Sequence, residues 1–293
     1  MNVLQLGLVD YETALKLQQS LVELRKQDRI ADTLLLLEHP PVITLGRNAR
    51  AANLRASAEE LAARGVQIFE CNRGGDITFH GPGQLVGYPI FDLRAFTDEH
   101  GRRKTLGAVD YVRRMEEALI RTCGDLGIPT ERIKGLTGVW IVGDSPRSHP
   151  FDKFRAGSDT EKNSAQQQSK IAAIGVHISR AVTSHGFALN VSIDLDYFNL
   201  IVPCGIPDKP VTSIEKEIRE GRALREEGIP SSQEIAHAIA RNFGRVFQQQ
   251  SLWLESLEDL FATASPPLPS NQDTPAKPPR ELEDLRGDRT FLT

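Results

Sequence analysis

Cysteine is scarce and scattered. Cys71, Cys123 and Cys204 are the only three in 293 residues, too few for a disulfide framework and without the C-x-x-C spacing of a metal pair. An odd, sparse set fits a reducing cytoplasm, and it raises the question of whether one of the three is chemically employed. Long apolar runs are also missing. Leu34 to Leu37 is strand-sized, far short of the roughly 20 residues of a membrane helix. The opening MNVLQLGLVD has no basic stretch and no apolar core, so no secretory signal is expected. Nor is there an excess of one charge: Lys plus Arg total 35 against 39 Asp plus Glu, a net charge of −4. That excludes the broad electrostatic footprint of a non-specific nucleic-acid binder, while leaving room for a local basic patch facing an acidic protein. No nucleic acid and no membrane is expected as a partner. No H-E-x-x-H or comparable ligand spacing occurs, so neither a metal nor another cofactor is expected.

What remains is ordinary globular usage, 40% hydrophobic and 25% charged, in a chain long enough to bury a core without staples. Asp10 to Arg25 reads as an amphipathic helix, with Ala14, Leu17, Leu21 and Leu24 at helical spacing and Asp10 as cap. Thr33 to Leu37, Val42 to Leu45 and Val66 to Glu70 read as strands. Ser57 to Ala63 is a short helix with a Ser57–Glu60 capping box. Arg73 to Gln84 is loop-like and glycine-dense, and Tyr88 to Leu93 is extended again. The longest predicted helix is Leu106 to Leu126, with Leu106, Val109, Val112, Leu119 and Leu126 along one face. Val139 to Val142, Ile171 to Ile178 and Phe187 to Ile193 look like strands, and Ser231 to Phe247 is a second long helix opened by a Ser231–Glu234 box. Strands and helices interleave unevenly, with adjacent strands that need no crossover, so the expected class is α+β with a mixed sheet flanked by helices.

Two segments stand apart. Ser145 to Ser169, rich in Ser, Asp and Gln, reads as a mobile insertion (145–169) in a hairpin connection. Residues 265–293 hold six of the 17 prolines with few apolar side chains and read as disordered. One folded domain is therefore expected over 1–262, with 263–293 as a tail.

The densest chemical signal is Arg73-Gly74-Gly75-Asp76-Ile77-Thr78-Phe79-His80-Gly81-Pro82-Gly83-Gln84. Its glycines let backbone approach a ligand closely, but it matches neither the phosphate-loop nor the dinucleotide pattern. It reads as a surface loop or, given that Arg73 and His80 can each bind an acyl or carboxyl oxygen, as a site. In Ile201-Val202-Pro203-Cys204-Gly205-Ile206 a cysteine stands between two residues that fix backbone shape. It is either a small buried hydrophobe or a nucleophile, and the second role needs a thiolate with a cation or base nearby. Lys170, directly before the apolar Ile171-Ala172-Ala173-Ile174-Gly175, either points inward as that cation or faces water. Cys123 inside the long helix and Cys71 beside Asn72 read as packing residues. Among the histidines, His100, His149 and His237 read as surface residues. His185-Gly186-Phe187-Ala188-Leu189-Asn190 reads as the start of a strand that walls an apolar pocket.

Taken together, RGGDITFHGPGQLVGYPIFDL, KGLTGVW, KIAAIGVHI, HGFALNV and IVPCGI, in that order, resemble the lipoyl(octanoyl) transferase family, the octanoyl-[acyl carrier protein]:protein N-octanoyltransferases. The resemblance runs from about Leu34 to Glu217. It implies the α+β fold of biotin and lipoate protein ligase catalytic domains. It implies that Cys204 is the acyl-accepting nucleophile, and that Lys170 lowers its pKa and can serve as a base. It further implies an octanoyl pocket of Arg73, Gly74, Gly75, Asp76, Ile77, Thr78, Phe79 and His80, of Ala173, Ile174 and Gly175, and of Gly186, Phe187 and Ala188. Asp76 stands where many members carry Gln, and both the insertion before Lys170 and the tail are additions to the pattern.

The implied partners are octanoyl-acyl carrier protein and the apo-lipoyl domains of 2-oxoacid dehydrogenase complexes and the glycine cleavage protein. Exchange of one thioester for another is nearly balanced, and amide formation runs downhill, so no ATP is required. Arg102, Arg103 and Lys104, or Arg113 and Arg114, are the charge runs that could meet the carrier protein. The rival readings are an ATP-dependent lipoate–protein ligase and a non-catalytic protein that binds acyl groups or lipoyl domains.

Overall fold

The computed structural model describes residues 1–96, 102, 104–141, 168–223, 228–262 and 264. The expectations for insertion positions 145–167, the tail from 265, His100, Arg103 and His149 lie outside the described residues.

The chain begins with β1 (Asn2–Leu8) and α1 (Tyr11–Lys26). Asp10 is extended, and its carboxylate accepts the Thr13 N–H at 2.9 Å, as the sequence predicts. Then come β2 (Thr33–Glu38), β3 (Val42–Leu45), α2 (Ala58–Ala63), β4 (Gln67–Glu70), β5 (Ile77–His80) and β6 (Gln84–Ile90). They are followed by α3 (Ala108–Asp125), β7 (Glu131–Ile133), β8 (Leu136–Ile141), β9 (Ser169–Ser179) and β10 (Val182–Asn190). The described chain closes with α4 (Ile214–Arg219), α5 (Ser232–Phe247), β11 (Leu252–Trp253) and α6 (Leu257–Ala262). Among the described residues no helix is long and apolar enough to cross a membrane.

Eight strands form one sheet in the order β11-β1-β2-β6-β10-β9-β8-β7, and β4-β3-β5 form a second. Within the large sheet β1 is parallel to both β2 and β11, whereas β2–β6, β6–β10, β10–β9, β9–β8 and β8–β7 are antiparallel. The class is α+β with a mixed sheet. The run TLLLL is apolar throughout because both of its faces are covered. Leu34 and Leu36 enter a core with α3 and α5, while Leu35 and Leu37 enter one with α1 and α6. A third core, including Ile43, Phe79, Phe198 and Ile201, underlies the small sheet.

Four local expectations need correction. Arg73 to Gln84 is not all loop, since β5 lies inside it with all four residues buried. Its glycine-rich flanks masked a four-residue run that pairs with β3. On α3 the buried face is Tyr111, Met115, Ala118, Leu119, Thr122 and Cys123, and Val109 is 72% exposed. Leu106, Leu119 and Leu126 of the predicted face are buried, so the stripe holds except at Val109 and half-buried Val112, and small and polar residues complete it against α5. His185 does not open its strand. β10 starts at Val182 and pairs back to β9 through a two-residue turn with Arg180 and Ala181 at φ 49° and 65°. Finally Ser169, counted with the insertion, is the first residue of β9. The α5 capping box is present in full, Ser231 and Glu234 each accepting from the other's backbone, a device whose loss costs about 1 kcal/mol.

Candidate functional site

Lys170 and Cys204 are brought together by a strap of chain laid alongside β9. Lys170 N–H donates to Pro210 O at 2.9 Å, and Thr212 N–H donates to Lys170 O at 2.9 Å. This parallel bridge carries the preceding turn, Pro203–Gly205, to the second residue of β9. Lys170 Nζ lies 3.2 Å from Cys204 Sγ. The lysine is inward-pointing, with 7% of its surface exposed, which decides that alternative. Its ammonium also stands 4.7 Å from the centroid of the Trp140 ring, within cation–π range. Cys204 is half-buried and adopts φ 56°, ψ 18°, a left-handed conformation rare outside glycine.

Gly205 follows at φ 67°, and a Cβ there would fall 2.6 Å from Asp76 Oδ2. The Cys204 turn therefore sits on the Asp76 carboxylate, with room for no side chain. Asp76 in turn is held by protein: Oδ1 accepts from Ile77 N–H at 2.7 Å and Arg50 N–H at 3.2 Å, and Oδ2 from Asn53 Nδ2 at 2.7 Å. It borders the site as a scaffold residue.

A cavity of about 330 Å³ opens beside the pair, at the low end of the range of small-molecule sites. Of the predicted acyl-site residues, Arg73, Gly75, Asp76, Ile77, Thr78, His80, Ala173, Ile174, Gly175, Gly186, Phe187 and Ala188 line it together with Lys170 and Cys204. The slot stays narrow because backbones crowd its wall. A Cβ on Gly175 would lie 2.8 Å from Gly74 O. Two predicted members do not line it. Phe79 alternates to the other face of β5, stacks on Tyr197 at 4.8 Å and meets Phe198 edge-on at 5.7 Å. Gly74 spends its N–H on Val176 O at 2.9 Å, fastening the loop to β9.

Arg73 and His80 differ in what they can offer an acyl oxygen. Arg73 donates Nε and Nη2 to Thr44 and Nη1 to Gly74 O at 3.1 Å. One of its five N–H groups is left over. The His80 ring nitrogens both face protein groups, although the residue lines the cavity. Its Nδ1 lies 2.7 Å from Gln84 Oε1, an acceptor, so the ring's proton is there, and Nε2 faces Thr44 Oγ1 at 3.4 Å. Burial and then His39 push its pKa down to about 3. His185 is lowered to about 4 by burial and then Arg73, and His39 to about 4 by burial. His39 donates Nδ1–H to Val9 O at 2.6 Å and accepts the Tyr88 hydroxyl at 2.7 Å. All three rings are neutral at pH 7.

From His80 a buried hydrogen-bond series runs back to the lysine strap. Gln84 Nε2 donates to Asn190 Oδ1 at 2.9 Å, and Asn190 Nδ2 donates to Thr212 O at 2.8 Å. Thr212 Oγ1 donates to Glu217, whose carboxylate also takes Arg222 Nε at 2.6 Å. The same polar series thus holds the pocket wall and the strand-to-strap bridge at Lys170.

Sequence reasoning missed Tyr11, Val86, Tyr88, Gly135, Leu136, Thr137 and Ile206 as lining residues, whereas His185 lines the cavity from the strand expected to wall a pocket. Gly135 to Thr137 lie inside the quoted KGLTGVW and Ile206 inside IVPCGI, so a signal existed. Nothing local marks Tyr11, which reaches the site only because α1 packs on β10. Among the described residues no group of three or more His, Cys, Asp or Glu side chains is gathered as metal ligands.

Residues 10–244 match the model of the lipoyl protein ligase A/B catalytic domain. The chain belongs to that family. The octanoyltransferase of Koribacter versatilis is 56% identical over 291 residues, 99% of each chain. That of Acidobacterium capsulatum is 56% identical over 261 residues, covering 89% of this chain and 96% of the other. The domain also shares its fold with a bipartite lipoate protein ligase from Thermoplasma acidophilum, at a TM-score of 0.58, 15% identity and 89% coverage of both chains.

Proposed function

We infer that this domain transfers an octanoyl group from octanoyl-acyl carrier protein to the lysine of a lipoyl domain by way of a thioester on Cys204. The observation that carries the reading is the 3.2 Å approach of Lys170 Nζ to Cys204 Sγ at the mouth of a narrow, mostly apolar slot. Its setting is a family whose close relatives are octanoyltransferases. A nucleophilic cysteine works as its thiolate, and the Lys170 ammonium is the cation placed beside it.

The Cys204 thiolate attacks the octanoyl carbonyl, and the carbon–sulfur bond to the carrier's pantetheine breaks. The departing pantetheine sulfur takes a proton from Lys170, leaving a neutral amine beside the acyl-enzyme. The acceptor lysine, as free amine, then attacks the Cys204 thioester. Its surplus proton passes to Lys170 as the Cys204 thiolate leaves. The lysine is an ammonium again and the cycle closes with no other reactant. Ile77, Ile174, Phe187 and Ala188 supply the apolar surface for the chain, and the neutral histidines add no charge to it.

Apo-lipoyl domains of 2-oxoacid dehydrogenase complexes and of the glycine cleavage protein are the acceptors this chemistry fits. A reducing cytoplasm suits three free thiols. The test is transfer to an apo-lipoyl domain in two mixtures. Octanoyl-acyl carrier protein without ATP supports modification under this reading. Modification only with free octanoate and ATP identifies a ligase instead.

A further inference from the structure

We propose that Arg47, Arg50 and Arg55 form the docking surface for the donor, the acyl carrier protein with its anionic phosphopantetheine arm. The proposal rests on the transferase reading and adds the surface that meets its donor. The three side chains are exposed, and among the described residues none has a carboxylate partner. Other arginines of the fold are engaged: Arg25 with Asp32, Arg94 with Asp92, Arg132 with Glu116 and Arg222 with Glu217. An uncompensated cluster of guanidinium groups is a standing attraction for an anion.

The cluster stands at the site because its backbone is stitched to it. Arg47 N–H donates to Arg73 O at 3.0 Å, Asn48 N–H to Gly75 O at 3.1 Å and Arg50 N–H to Asp76 Oδ1 at 3.2 Å. On its far side, Arg55 N–H donates to Leu200 O at 2.9 Å, and Val202 N–H donates to Asn53 O at 2.7 Å. One loop thus bridges the cavity wall at Gly75–Asp76 and the segment that leads into Cys204. Exposed Lys134 adds a positive charge on the β7–β8 turn, next to the lining residues Gly135 to Thr137. Against these positive charges stand Asp76, whose donors are neutral N–H groups that leave its charge in place, and exposed Asp208, four residues after Cys204.

The donor brings a phosphodiester and an acidic protein face, the charge complement of three exposed guanidinium groups. Of the charge runs singled out in the sequence, Arg113 and Arg114 suit the task less well. Arg113 is paired with Glu116 at 2.7 Å, and Arg114 lies 5.5 Å over the Phe96 ring.

The experiment compares the unsubstituted protein with R47E, R50E, R55E and their triple combination, in separated half-reactions. Acylation of Cys204 is timed with octanoyl-acyl carrier protein, octanoyl-phosphopantetheine and an uncharged small octanoyl thioester. Release to apo-lipoyl domain is timed from pre-formed acyl-enzyme. Charge reversal is expected to lower kcat/KM with the carrier protein by about tenfold or more, with the loss in KM and with weaker salt dependence. The small thioester and the release step should be unaffected. A loss retained with octanoyl-phosphopantetheine assigns the contact to the phosphate, and one confined to the carrier protein assigns it to the protein face; both support the surface. Equal loss with all donors, no loss, or loss only in release overturns it. If the unsubstituted protein takes octanoyl from none of the three donors, the transferase reading itself fails.

Discussion

Lys170 and Cys204 are 34 positions apart in the chain yet hold Nζ and Sγ 3.2 Å apart. The lysine sits on a sheet strand and the cysteine on a strained turn, and the Pro210–Thr212 strap joins the two. The pair is therefore only as well placed as that strap.

Replacing the lysine tests its charge and its proton together. Lys170→Met keeps the stem beside Gly138 and removes the ammonium. Acyl transfer is expected to fall by about 10²- to 10⁴-fold, with the pH at which Cys204 becomes reactive toward iodoacetamide moving upward. Unchanged thiol reactivity would separate the lysine from the thiolate.

Asn190 is the joint of the buried polar series. Asn190→Leu leaves Thr212 O without its donor and Gln84 Nε2 with Phe79 O alone as acceptor, at a cost of about 1–3 kcal/mol in urea unfolding. Thr212→Val deletes the hydroxyl that donates to Glu217 at little change in volume, and Thr212→Ser restores it. Both disruptive variants should shift the pH profile of Cys204 alkylation, while Thr212→Ser keeps it. A stability loss with an unmoved profile would make the series purely structural.

Much of the fold could be read from the sequence where a physical pattern was undiluted. Asp10 capping a helix with Ala14, Leu17, Leu21 and Leu24 at helical spacing, the doubly buried TLLLL strand and the Ser231–Glu234 box are all as expected. The pattern failed where tertiary packing outvoted local composition, as at β5 between glycines and on the α3 face that buries Thr122 and Cys123. The same holds for the site. Arg73, His80 and Cys204 stand out as residue types, but Phe79 was taken with its neighbours although a strand sends alternate side chains to opposite faces. No spacing could bring Lys170 to Cys204, since a bridge through Pro210 and Thr212 does it.

Three neutral buried histidines set a pH dependence. His39, His80 and His185 have folded pKa values near 4, 3 and 4, below the unfolded value of about 6.5. The unfolded chain therefore binds more protons below that value. Their contribution is fully present above about pH 6.5 and is lost as pH falls toward 4, each ring removing up to about 1.4 kcal/mol per pH unit. Urea midpoints measured between pH 7.5 and 5 should decline steeply, and less so in His39→Gln. A flat profile would mean that folding does not lower the pKa values of these rings.

The cysteines should separate by reagent. Cys123 is fully buried and its thiol is pushed up to about 12 by burial, so it reacts only on unfolding. Cys204 is half-buried beside an ammonium and should be alkylated first, ahead of Cys71, whose thiol donates to Leu45 O at 3.4 Å. Peptide mapping after brief iodoacetamide treatment reads the order, and preferential labelling of Cys71 would contradict it.

The central claim is the covalent acyl-enzyme, and intact mass reads it directly. The protein and Cys204→Ser are each exposed briefly to octanoyl-acyl carrier protein and weighed, then weighed again after apo-lipoyl domain is added. The account predicts a gain of one octanoyl group that is absent in Cys204→Ser and is discharged onto the lipoyl domain. Full transfer by Cys204→Ser, or no mass gain in a folded protein with active donor, would contradict it.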